Sequence, residues 1–270
     1  MARAKGIAVT AGLDQVSKAL TQTNALIGSA LRLLTDDVNN QAALKTSLAT
    51  LTRVLGVVDW SVISKGNPEA WLYFYQYFLS IYDNELRKRT GSYYTPPEIV
   101  TAMVRLVDEV LRDARRFGVA EGLASPDVTL ADPAMGTGTF LLGVLRRISD
   151  ATGNDQGHGA VPAVVQASLK RIIGFEIQFG PFAVAQLRLL AEITDLLDLD
   201  LKKSKDKAKL DSIHPRLYVA DTLGNPDEES EWIPNILKPL ADSRREANKI
   251  KRAEPITVVI GNPPYKEKAK

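Results

Sequence analysis

Four short apolar runs, at 127–131, 171–175, 216–220 and 257–260, alternate with segments of helical length. A chain of alternating strands and helices builds a parallel, doubly wound sheet, because each crossover between parallel strands carries a helix back across one face. Helices are expected at 96–116, with Pro96 and Pro97 in the first turn, and at 139–150, 163–169 and 179–197. The glycine-rich stretch 152–159 reads as a flexible loop, and the lysine-rich stretch 202–209 as a solvated basic loop. In such sheets ligands bind outside the carboxyl ends of the strands, so the residues that leave each strand are the ones to inspect.

The region before this alternation is expected to be helical and to carry no site. Leu13, Val16, Leu20, Ala25, Leu26, Leu31, Leu33 and Leu34 recur at roughly helical spacing, and a further helix is expected over 41–57. Asn67-Pro68 marks a break. The run Trp71-Leu72-Tyr73-Phe74-Tyr75-Gln76-Tyr77-Phe78-Leu79 offers either a stacking surface for nucleic acid or a buried helix face, and contiguous aromatics on a helix read as core. Residues 1–90 are taken as a helical N-terminal region and 91–270 as the α/β core.

Composition removes several alternatives. Cysteine is absent, which excludes a disulfide framework and a thiolate zinc site, and His158 and His214 are the only histidines, so no metal is expected. The net charge of +2 supplies no global field for nucleic acid, so a nucleic-acid role needs local patches or another domain. The opening residues lack the apolar core of a signal peptide, and no run approaches the roughly 18 apolar residues of a membrane span. A cytoplasmic chain with no membrane partner is expected.

The strand ends carry the chemistry. The first run leads into Asp132-Pro133-Ala134-Met135-Gly136-Thr137-Gly138-Thr139-Phe140. Gly136 and Gly138 let the backbone approach a ligand, and the helix that follows presents free N–H groups to a carboxylate or phosphate. The third glycine of a dehydrogenase fingerprint is missing, since Gly143 falls at the wrong spacing. The second run ends Gly174-Phe175-Glu176, where a carboxylate can accept both hydroxyls of a ribose, or simply open a helix. The third ends Ala220-Asp221-Thr222-Leu223, where Asp221 suits an adenine amine or a helix cap. The fourth ends Gly261-Asn262-Pro263-Pro264-Tyr265. Two prolines fix their own φ and donate no hydrogen bonds, so this turn is stiff. Asn262 and a proline carbonyl can accept the hydrogens of an exocyclic amine, and Tyr265 can stack on its ring. Taken alone, the tetrapeptide is equally a proline-stiffened loop.

The ordered set Tyr93-Tyr94-Thr95-Pro96-Pro97, Asp132-Pro133-Ala134-Met135-Gly136-Thr137-Gly138, Gly174-Phe175-Glu176, Asp221 and Asn262-Pro263-Pro264-Tyr265 resembles the motif series of S-adenosylmethionine-dependent DNA methyltransferases acting on adenine N6. The stretch from Trp71 through Tyr94 is further similar to the methyltransferase part of large single-chain restriction–modification enzymes. The resemblance covers about 70–265 and implies a Rossmann-like methyltransferase fold. It implies that Tyr94, Thr95 and Pro96 line the methionine end of the cofactor, with Thr95 on its carboxylate. Asp132, Pro133, Ala134, Gly136 and Gly138 would hold the amino-acid moiety, Glu176 the ribose and Asp221 the adenine amine, with Phe175 or Leu223 on the adenine ring. Asn262, Pro263 and Tyr265 would grip an adenine flipped out of double-stranded DNA. Met135 stands where the family often has cysteine, an exchange of one soft apolar side chain for another.

Against that family the sequence stops soon after Tyr265, at Lys270. The expectation is therefore a fragment that lacks the last strands of the sheet and the target-recognition domain. Two other readings remain open at this point: a glutamine-modifying protein methyltransferase, which uses a similar Asn-Pro-Pro-Tyr turn, and a cofactor-binding module without catalysis. The Tyr94-Thr95-Pro96 element argues against the first.

Overall fold

The computed structural model describes residues 13–23, 25–35, 38–57, 77, 95–200, 202–227 and 238–264. Three N-terminal helices, α1 (Leu13–Thr23), α2 (Ala25–Thr35) and α3 (Val38–Val57), precede the α/β part. There α4 (Pro97–Arg112), β1 (Leu130–Asp132), α5 (Thr139–Gln156), α6 (Val161–Ser168), β2 (Ile172–Glu176), α7 (Phe179–Leu196), α8 (Ser204–Asp211), β3 (Arg216–Val219), α9 (Lys238–Ala253) and β4 (Val258–Val259) follow in order. The strands form one sheet in the order β3-β2-β1-β4. All three pairings are parallel, with Ala131 level with both Ile173 and Val259, and Glu176 level with Val219. The doubly wound α/β fold expected from strand–helix alternation is the fold observed.

Alternation along the strands divides the core between the two faces. Leu130, Ile172, Leu217, Val219 and Val258 face a large cluster built with α4 to α7, in which Leu141, Leu145, Val165, Ala185 and Ile193 are wholly buried. Ala131, Ile173, Phe175 and Ala220 point to the other face and meet Ala247 and Ile250 of α9. A strand covered on both faces must be apolar at every position. β2 meets that rule, since all five of its residues are buried, including Glu176. Of the N-terminal helices, α2 reaches this core through Leu26.

Some local expectations fail for physical reasons. The predicted loop at 152–159 is helical as far as Gln156. Thr152 is buried, Asp155 pairs with Arg112 at 2.9 Å, and the helix stops only where Gly157 takes a left-handed φ of 88°. The lysine-rich loop is mostly the helix α8, anchored by the buried Leu210. The first helix of the core ends at Arg112, short of the predicted 116, because Asp113 turns to an extended backbone and its carboxylate accepts from the Arg115 N–H. Sequence reasoning missed α9 entirely. It buries only Ser243, Ala247 and Ile250, too thin a stripe to stand out among its charges. Of the aromatic run, Tyr77 is exposed and the other residues lie outside the described ones, as do Tyr93, Tyr94 and Tyr265.

Candidate active site at the carboxyl ends of the strands

After β1 the chain adds β2 and β3 on one side, then returns to place β4 on the other. The crevice between β1 and β4 is therefore the point where the strand order reverses, the standard ligand position of an open α/β sheet. Residues far apart in sequence meet there: Asp132 closes β1, and Gly261, which follows β4 and precedes Asn262, packs against it. The approach is close. A methyl group on Gly261 would stand 2.5 Å from Asp132 Oδ1 and 3.5 Å from Pro133 Cδ, so only glycine fits before Asn262.

The turn after β1 is held from several sides. Gly136 and Gly138 both adopt left-handed backbone, at φ of 54° and 80°, which lets the chain fold tightly into α5. Asp132 Oδ1 accepts from the Ala134 N–H at 3.1 Å, and the Met135 N–H donates to the Phe175 carbonyl at 2.9 Å. Arg188 of α7, almost fully buried, donates to the Thr137 carbonyl at 2.9 Å and to the Thr139 hydroxyl at 3.1 Å. Beyond the turn, the Thr222 hydroxyl donates to the Pro133 carbonyl at 2.6 Å and joins the end of β3 to the end of β1.

Two carboxyl groups lie beneath this turn. Asp132 is fully buried, and its Oδ2 has no hydrogen-bond partner. Burial pushes its carboxyl up to about 7, against one opposing hydrogen bond from Ala134 and with the charge of Glu176 adding to the rise. Glu176 accepts from Gly136 N–H at 3.0 Å and from Gln178 N–H at 2.7 Å. Burial also raises its pKa, and these backbone donors oppose the rise. A carboxylate offers about four lone-pair positions, so Glu176 keeps capacity for a further donor such as a ribose hydroxyl.

The loop after β3 is organised by Asp221, whose Oδ1 accepts from the Leu223 N–H at 2.9 Å. Lys251 of α9 donates to the Asp221 and Gly224 carbonyls at 2.9 and 2.6 Å. Leu223 projects into solvent at 96 % exposure, whereas Phe175 is buried against Tyr218 with ring centroids 6.0 Å apart. The choice left open between Phe175 and Leu223 for an adenine ring is thereby narrowed. Successive strand side chains alternate, so a strand that aims Glu176 at the glycine turn aims Phe175 at α9.

Asn262 Nδ2 donates to the Thr95 hydroxyl at 3.1 Å, so Thr95 reaches the β4 turn. Thr95, Asp132, Glu176, Asp221 and Asn262 thus border one end of the sheet. Sequence reasoning missed Arg188, Thr222 and Lys251. A lone arginine in the apolar run of α7 was a usable signal; a threonine in a loop and a lysine in a basic helix were not. The acceptors and open space around the site suit a nucleoside bearing an amino acid: an orphaned buried acceptor on Asp132, a buried carboxylate on Glu176, and room beside Gly136, where an added Cβ would meet nothing within 4 Å.

Known proteins bear on the same residues. The family described as N-6 DNA Methylase matches residues 72–270. An adenine-specific methyltransferase, PglX of Streptomyces coelicolor, is 27 % identical over 195 residues, which is 67 % of this chain and 15 % of PglX. The chain thus spans less than a sixth of that relative's length. Three solved structures share the fold: the DrdV–DNA complex (TM-score 0.58, 20 % identity, 93 % of this chain and 23 % of that one); a nuclease-deletion mutant of the Type ISP restriction–modification enzyme LlaGI in complex with a DNA substrate mimic (0.62, 18 %, 95 % and 20 %); and the ATP-dependent Type ISP enzyme LlaBIII bound to DNA (0.62, 19 %, 96 % and 17 %). With the fold, the strand-end turns and a family match over most of its length, the chain belongs to the N-6 DNA methylase family.

Proposed function

We propose that the chain is the cofactor-binding and catalytic part of a restriction–modification enzyme that methylates the N6 amine of adenine in double-stranded DNA. The observation that carries this reading is the meeting of the Asp132 turn with Gly261-Asn262 at the crevice between β1 and β4. That approach supports reading the two turns as a nucleoside pocket beside an amine-gripping turn. S-adenosylmethionine, when bound, supplies an electrophilic methyl group on sulfur. The chain's own residues bind and orient. Glu176 accepts from a ribose hydroxyl, the free oxygen of Asp221 accepts from the adenine amine, and Leu223 covers the ring. Asp132, Pro133, Ala134, Gly136 and Gly138 enclose the amino-acid end, with Tyr94 and Pro96 opposite.

At the target base, Asn262 Oδ1 and the Pro263 carbonyl accept the two amine hydrogens, and Tyr265 stacks on the flipped ring. Two acceptors outside the ring plane draw the amine out of conjugation and leave its nitrogen lone pair available. The remaining acceleration is proximity and orientation. On this reading residues 1–90 are the N-terminal part of the unit and 91–270 its catalytic core, in an enzyme of the cytoplasm. Transfer of labelled methyl groups to unmodified DNA, with N6-methyladenine identified by mass spectrometry and lost in Asn262→Ala, tests the reading. Label on protein glutamine instead, or cofactor binding without transfer to any substrate, would refute it.

A further inference from the structure

An asparagine that grips an amine must present its oxygen, because Oδ1 accepts and Nδ2 donates. Asn262 is exposed, so packing does not decide which end faces the target. A hydroxyl can meet either end of an amide; in this structure Nδ2 lies 3.1 Å from the Thr95 hydroxyl and donates to it, which leaves Oδ1 turned outward. Both partners stand on stiff backbone. Thr95 precedes Pro96 and Pro97, and the Pro96 carbonyl accepts from the Ile99 and Val100 N–H groups at 3.1 and 3.2 Å as α4 begins. Asn262 precedes Pro263 and Pro264. The bond therefore joins two proline-stiffened turns that lie 167 residues apart in sequence.

We infer that Thr95 is a positioning residue: its hydroxyl accepts from Asn262 Nδ2 and fixes the carboxamide with Oδ1 toward the target amine. This role differs from the contact with the cofactor carboxylate that the family resemblance implies, and it rests on the functional reading above. Thr95→Val removes the hydroxyl at constant shape, and Thr95→Ser restores it. In the full-length enzyme, Thr95→Val is expected to lower kcat by about three- to tenfold, the effect of one lost hydrogen bond, and Thr95→Ser to recover most of it. KM for S-adenosylmethionine is expected to stay within about twofold of wild type, because uniform cofactor binding is untouched.

Side-chain amide signals of the 270-residue chain supply a readout independent of turnover. The Asn262 pair, assigned by its disappearance in Asn262→Asp, is expected to exchange slowly with solvent in wild type and Thr95→Ser, and fast in Thr95→Val. A raised KM with unchanged kcat would place Thr95 on the cofactor and overturn the inference. So would an Asn262 amide in wild type that exchanges as fast as free asparagine, a measurement that holds even if Thr95→Val fails to fold. A wild-type enzyme that binds no S-adenosylmethionine and methylates no DNA overturns the functional reading itself, an outcome distinct from either of these.

Discussion

Asp132→Asn keeps the shape of the buried side chain and removes its charge. The Asp132 carboxyl titrates near 7 in the folded chain and near 3.8 when unfolded, a gap of roughly three pH units at 1.36 kcal/mol each. The sign follows from the direction of that gap. Below the unfolded value both states hold the proton, and ionisation contributes nothing. As pH rises from about 4 to about 7 the unfolded chain releases the proton and the folded chain retains it, so stability falls. Above about 7 the loss is complete, at roughly 4 kcal/mol. Asparagine escapes this loss. Its Nδ2 takes the place of the orphaned Oδ2, which in the protonated acid also carries an unpartnered donor, so the two are nearly equivalent at low pH.

Urea unfolding at pH 5, 6, 7 and 8 measures the difference between the two proteins. The advantage of Asp132→Asn is expected to grow by about 1.4 kcal/mol per pH unit up to 7 and then level off, gaining roughly 2 to 3 kcal/mol between pH 5 and pH 8. Excess S-adenosylmethionine, which stabilises only a state that binds it, should narrow the gap by favouring the wild type. A difference that does not vary with pH, or one that turns against the substituted protein as pH rises, would refute the reasoning. The second result would mean that Asp132 is ionised and stabilised by a partner.

Three further substitutions probe the supports of the site. Gly261→Ala forces a methyl group to 2.5 Å from Asp132 Oδ1, so thermal unfolding should report a loss of about 1–3 kcal/mol. Methyl transfer should fall further than the affinity for S-adenosylmethionine, because Asn262 is displaced. Arg188→Gln leaves the Thr137 carbonyl and the Thr139 hydroxyl without their donor, and urea unfolding should show a loss of about 2–4 kcal/mol together with weaker cofactor binding. Lys251→Met frees the loop that carries Asp221 and Leu223, so calorimetry should show S-adenosylmethionine binding weakened by about three- to tenfold with little change in unfolding temperature.

The parts of this structure that sequence makes legible are those where two independent signals coincide. β2 could be located because an apolar run ends at a carboxylate, and the β1 turn because glycines follow Asp132-Pro133. The switch at β1 and β4 could not be read, since nothing local to 257–260 says which strand it will join. That is decided by the close approach of Gly261 to Asp132, a contact between distant segments. α9 was hidden for the opposite reason: it gives only Ala247 and Ile250 to a small cluster, and most of its other residues are charged or polar. The 152–156 stretch looked like a loop because Gly153 and Asn154 are poor helix formers. The buried Thr152 and the Arg112–Asp155 pair carry the helix through it. Phe175 shows how alternation sorts a motif: the strand that turns Glu176 toward the glycine turn carries Phe175 into the cluster with α9.

Calorimetric titration of the 270-residue chain with S-adenosylmethionine, beside Glu176→Gln, addresses the central claim most directly. The pocket described here predicts saturable one-to-one binding to the wild type and its loss in the substituted chain, with both proteins unfolding cooperatively. A folded wild type that takes up no cofactor, or a Glu176→Gln chain that binds it equally well, would contradict the account.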